Sequence, residues 1–157
     1  MKTSKSGLFL FELIIVIFLF TLSSAICINI FAKAFIYSTD SENLTESSLK
    51  VMAVAETFKD GDGDAYSDAD AIVAALNSDD NTYEVSLNGD TGDYGRFTIN
   101  FYYDKNWQNV SKENSVYNLV VSAKNENIND KVICANISVS DKNDTLLDMK
   151  ALKIGAN

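Results

Sequence analysis

The amino-acid sequence predicts an α+β fold, in which a long N-terminal helix (a membrane half plus an amphipathic half) packs on a 4–5-stranded antiparallel meander sheet. Three observations carry that prediction. An apolar run of membrane length lies near the start of the chain. It passes without a break into a stripe of apolar residues at helical spacing. The second half then alternates apolar and polar residues in short segments separated by polar turns. At 157 residues, with a membrane helix set aside, the chain builds one small domain.

The first helix is justified residue by residue. From Leu8 to Ile28, 17 of 21 residues are apolar and Glu12 is the only charge. The run continues through Ala32-Lys33-Ala34-Phe35 into a segment where Tyr37, Leu44, Val51 and Phe58 are spaced by sevens, joined by Val54 and Ala55 on the same face. Ser41, Glu42, Thr45, Glu46, Ser47, Lys50 and Glu56 fill the other face, the pattern of a half-buried helix. Proline is absent, so the usual breaker is missing. One helix is therefore expected from about Leu8 to Phe58, roughly 75 Å long at 1.5 Å per residue.

Gly61 and Gly63 end that helix within the acidic stretch Lys59 to Asp70. Ser67 or Asp68 is expected to cap a short second helix through about Leu76, with Ala71, Ile72, Ala75 and Leu76 apolar. Asp60, Asp62, Asp64 and Asp68 also take the first, third, fifth and ninth places of a calcium loop. The match departs at Ala65, where such loops carry glycine, and at Ala71, where they carry a bidentate glutamate. Two readings stay open here: a calcium site, and a solvated acidic turn with capping duty.

Strands follow. Thr82 to Leu87 is short and leads into the glycine-rich loop from Asn88 to Gly95. Phe97, Ile99, Phe101 and Tyr103 alternate with polar neighbours, the period-two signature of a strand with one buried face. After a polar turn holding Trp107, the alternation returns at Tyr117, Leu119, Val121 and Ala123 and at Ile133, Ala135, Ile137 and Val139, and a last segment from Leu146 to Ile154 closes the sheet. The sheet's apolar face and the helix stripe need each other, because neither buries itself alone. The aromatic group Phe97, Phe101, Tyr102, Tyr103, Trp107 and Tyr117 is read as core and cross-strand pairs, with a sugar-stacking surface as the lesser alternative.

Composition excludes several chemistries. Histidine is absent, which removes a Ser-His-Asp triad, a Cys-His pair and His-ligated zinc. No catalytic set converges, so the chain is read as not an enzyme. Cys27 falls in the apolar run and Cys134 in a strand, positions that make an intrachain bridge improbable. The formal charge of −9 argues against a phosphate-backbone binder, and no nucleic-acid partner is inferred.

Glu12 is the most informative residue. An ionised group at the centre of a membrane helix costs about 2.5–3.5 kcal/mol, so it usually marks a function. Here it stands one turn after Leu8, and Leu8 follows a short leader (Lys2, Lys5) that ends in Gly7. A cleaved secretory signal and a plain single-pass anchor share the basic start and apolar core. The run is long for the first, and the acid has no place in the second.

Leader, glycine, glutamate and apolar run together resemble the prepilin signature of type IV pilins and type II secretion pseudopilins. The resemblance covers about the first 30 residues and implies three segments: a leader at 1–7, a transmembrane or fibre-core helix at 8–32, and an extracytoplasmic head at 33–157. It implies cleavage after Gly7 by a prepilin peptidase, N-methylation of Leu8, and a role for Glu12 in subunit assembly. Most family members begin the mature chain with phenylalanine or methionine, so Leu8 is a mild departure. The missing proline in the membrane segment leans towards a minor pseudopilin. The partners implied are other pilin or pseudopilin subunits and, indirectly, an assembly platform protein and ATPase.

Cleavage would leave 11 basic against 22 acidic side chains, a net of −11. The basic leader before acidic downstream residues predicts a single pass through the cytoplasmic membrane, with the amino terminus inside and the head outside. After assembly the chain would lie in a cell-surface or periplasmic filament. The competing expectation is a membrane-tethered extracytoplasmic module that binds calcium or a surface ligand and never polymerises. Among cofactors, calcium is the only candidate.

Overall fold

In the computed structural model, residues 5–61, 64–87, 97–125, 132–142 and 144–154 are described. The chain divides into two units, Met1–Glu42 and Asn43–Asn157.

Helix α1 runs from Lys5 to Asp60, two to three residues beyond the expected bounds at each end. In the first unit its large apolar side chains are exposed from Leu8 through Tyr37. Thr21 and Ser24 donate their hydroxyl protons to the carbonyls of Phe18 and Phe20, at 2.8 and 2.9 Å. Those bonds satisfy the hydroxyls inside the helix, as an apolar surround demands.

In the second unit, Val51, Val54, Ala55 and Phe58 are buried against the sheet. The stripe is shorter than its spacing suggested. Tyr37 and Leu44 are exposed, while Ser47, expected on the polar face, is fully buried. A repeat of seven drifts by about 20° per heptad on a straight helix, so the face that meets the sheet is not the one a strict heptad traces. Ser47 is tolerated there because its hydroxyl donates to the carbonyl of Leu44 at 3.0 Å.

Helix α2 spans Ala65–Ala75. Its N-cap is Asp64, whose carboxylate accepts from the Ser67 N–H at 3.0 Å. This corrects the expected cap at Ser67 or Asp68: the helix begins a turn earlier, and Asp68 lies inside it, buried. Losing such a cap costs about 1 kcal/mol. Asp64→Ala in the full-length chain is expected to lower the free energy of urea unfolding by that amount.

The strands are β1 (Tyr83–Leu87), β2 (Phe97–Tyr103), β3 (Tyr117–Asn125), β4 (Val132–Ser140) and β5 (Thr145–Ile154). All pairs are antiparallel, and the sheet order is β1-β2-β3-β4-β5. This is the expected meander in its five-stranded form. Register aligns the apolar positions: Val85, Ile99, Val121, Ile137 and Met149 lie across from one another in one row. Phe97, Ile99, Phe101 and Tyr103 form the centre of the core with Leu119, Val121 and Ile137, all almost fully buried. The aromatic residues are therefore core, as expected.

The β2–β3 turn closes over Trp107. Its ring stacks on Tyr117, with centroids 4.4 Å apart and planes 8° from parallel. Its indole N–H donates to Asn43 Oδ1 at 3.2 Å. Asp104 shapes the turn by accepting from the N–H groups of Asn106 and Gln108 at 2.8 and 2.9 Å.

Candidate functional site

Gly7, Leu8 and Glu12 all lie in the first turns of α1. Leu8 is 75% exposed, and Glu12 is exposed too. A Cβ at Gly7 would meet nothing within 4 Å. Glycine costs a helix interior about 0.5–1 kcal/mol relative to alanine, so neither packing nor propensity accounts for it there. Leu8 and Glu12 stand four residues apart, on one helix face. Thr21 and Ser24 each have a proton to return to a helix carbonyl. A carboxylate has no such proton to return, and Glu12 stands exposed on the helix surface.

The acidic turn comes apart into separate duties. Asp60 ends α1 and is exposed. Asp62 lies outside the described residues. Asp64 caps α2, and Asp68 is directed into the core. Among the described residues, no group of three or more Asp, Glu, Cys or His side chains converges on a common point.

Asp68 meets Lys153 instead. The Lys153 ammonium donates to Asp68 Oδ2 in a direct contact, and the two side chains are 4% and 1% exposed respectively. The Lys153 Nζ also sits 4.5 Å from the centroid of the Phe58 ring. Strand β5 places Lys153 there because Leu147, Met149, Ala151 and Lys153 share the inward face, and Lys153 lies opposite the buried Ile133. On α2, Asp68 lies on the buried face beside Ala69 and Ile72. Sequence reasoning missed this pair. The available signal was the lysine at an inward position of the last strand, which requires a buried counter-charge.

Two further polar arrangements trim the head. Tyr102 donates to Glu84 at 2.8 Å, and Lys112 pairs with the same carboxylate at 3.0 Å. The Tyr102 hydrogen bond, followed by the Lys112 contact, holds Glu84 below the ordinary carboxylate range. The sign follows: this arrangement stabilises the fold above the unfolded carboxyl's pKa, and the contribution is lost as pH falls through the lower folded value. Lys50, expected on the solvated face of α1, lies 4.2 Å above the Tyr103 ring. Burial pushes its ammonium below the usual lysine value, against an opposing effect of Glu46.

Compared with protein-family models, curated proteins and solved structures, the chain has no significant match in any of the three. The class that its geometry defines is coarser: an α+β protein with an N-terminal helix long and apolar enough to cross a membrane, and a five-stranded antiparallel sheet packed against that helix's second part. This arrangement is compatible with a pilin-like fold.

Proposed function

We propose that this chain is a prepilin-type structural subunit, a pilin or minor pseudopilin of a type IV pilus or type II secretion-like filament. It is cut after Gly7, held in the membrane by its apolar helix, then extracted into a fibre. Its action is mechanical. Apolar helices bundle at the fibre centre, and acidic heads form the outside. As a minor subunit it starts or tips the fibre.

One observation carries this reading. A single helix joins an exposed apolar half, whose only charge between Leu8 and Ile28 is Glu12, to a half that packs on an antiparallel sheet. Gly7 adds support, since nothing near it excludes a side chain; recognition by a peptidase supplies a reason for glycine that packing does not.

The role of Glu12 follows from charge. Cleavage creates an ammonium on Leu8. In a staggered fibre, the amine of an incoming chain meets the carboxylate of its neighbour in a low-dielectric surround, where a matched pair is tolerated and a lone charge is not. The wrong stagger strands both groups, so the pair selects register.

Mass spectrometry of the full-length chain, extracted from membranes of a host that carries a prepilin peptidase, tests the reading. A mature chain starting at Leu8 and methylated on its amine is expected. A chain that keeps Met1 and the leader intact in that host would instead mark a plain membrane tether bearing a binding module.

A further inference from the structure

We propose that Lys153 and Asp68 condense to an intramolecular isopeptide bond, a covalent staple between strand β5 and helix α2. The inference concerns the head alone and stands whether or not the chain polymerises.

Four observations converge on it. Lys153 Nζ lies directly against the Asp68 carboxyl group. Both side chains are almost wholly withdrawn from solvent, at 4% and 1% exposure. The second carboxyl oxygen, Oδ1, is buried and has no hydrogen-bond partner among the described residues. The pair is also enclosed by the Phe58 ring and by Gly61, where a Cβ would strike both Asp68 and Lys153. Glycine at that position lets the backbone close over the pair and keep water out.

As an ion pair this arrangement is poor. Burying two charges is repaid only when the remaining lone pairs are also satisfied, and among the described residues one carboxylate oxygen has no partner. An amide carries no charge, and a neutral acceptor left without a partner costs less than an ionised one. Direct contact also supplies the proximity that makes an intramolecular condensation fast.

The step balances without an added reagent. A proton passes from Nζ to Oδ2, leaving a free amine against a neutral carboxylic acid. The Nζ lone pair attacks Cγ, a second Nζ proton follows to Oδ2, and Oδ2 departs as water. One N–C bond forms and one C–O bond breaks, with no change in oxidation state. Oδ1 remains as the amide oxygen, and the third proton stays on nitrogen. Exclusion of water then protects the product from hydrolysis. The staple links positions 85 residues apart in a protein whose two cysteines are both free.

The test is mass spectrometry of the full-length chain, extracted from membranes and denatured. The chain is expected to be lighter than its processed sequence by one water. Trypsin is expected to miss Lys153 and to release the 60–96 fragment joined to the fragment that begins at Ala151. Asp68→Ala and Lys153→Ala should each restore the full mass, and this readout does not require either variant to fold. Full mass in the parent, with cleavage after Lys153, overturns the proposal. So does a one-water loss with the two fragments separate, the result a succinimide at Asp60-Gly61 would give.

Discussion

Lys153→Ala is expected to destabilise the head by about 3–5 kcal/mol, the cost of stranding one member of a buried charge pair. The variant leaves the Asp68 carboxylate inside the core, 1% exposed, without its counter-charge. Asp68→Ala is expected to cost a similar amount, because it leaves an ammonium beneath the Phe58 ring, where the ring face compensates only part of the loss. Denaturant unfolding of the full-length chain in detergent reads both. A Lys153→Ala variant within about 0.5 kcal/mol of the parent, the range of ordinary surface substitutions, would show that the pair is not buried in solution. The double variant Asp68→Leu with Lys153→Met separates the two bonding states. Apolar replacement of a buried ion pair is often neutral or stabilising, so recovery of parental stability indicates a purely ionic contact. A covalent staple also restricts the unfolded chain, as a disulfide does, and apolar side chains do not replace that.

The second large effect falls on Glu12. Under the proposed assembly, Glu12→Ala leaves cleavage after Gly7 unchanged but strands the new ammonium of Leu8 in the fibre core. Each 1.4 kcal/mol of lost pairing is about tenfold in an equilibrium, and an uncompensated buried charge costs more than that. The amount of the variant in sheared filaments, relative to the membrane pool, is expected to fall by at least about tenfold. Glu12→Gln should behave alike, since the amide keeps the shape and loses the charge. Parental incorporation of Glu12→Ala would remove charge pairing from the assembly mechanism.

Much of the fold was legible because its signals are local. Period-two alternation placed three of the five strands, β2, β3 and β4, within two residues of their observed bounds. The absence of proline and the continuity of the apolar pattern made one helix the simplest reading from Leu8 to Phe58. The exceptions share a physical cause. Tyr37 and Leu44 fit a heptad, but the stripe is buried only where the sheet meets it, and helix spacing alone does not say where that contact ends. Ser47 and Lys50 read as solvated, yet one is covered outright and the other lies over an aromatic ring. The start of α2 was misplaced because Asp64, Ser67 and Asp68 are all good caps, and backbone geometry chooses among them. The contact between Asp68 and Lys153 joins α2 to the last strand, and no local pattern reports such a distance. At the other end of the chain, Gly7, Leu8 and Glu12 stand out by their spacing along one helix, and the role proposed for them rests on that pattern.

The placement of Lys153 in the final strand has a consequence for the life of the molecule. Synthesis runs from the amino end, so Asp68 is made 85 residues before the lysine that neutralises it. Until β5 is in place, the half-finished head harbours an acid with nowhere to go, and its compact state is penalised. A polypeptide that stops short of Lys153 never escapes that penalty. The contact thus ties full compaction around α2 to the arrival of Lys153.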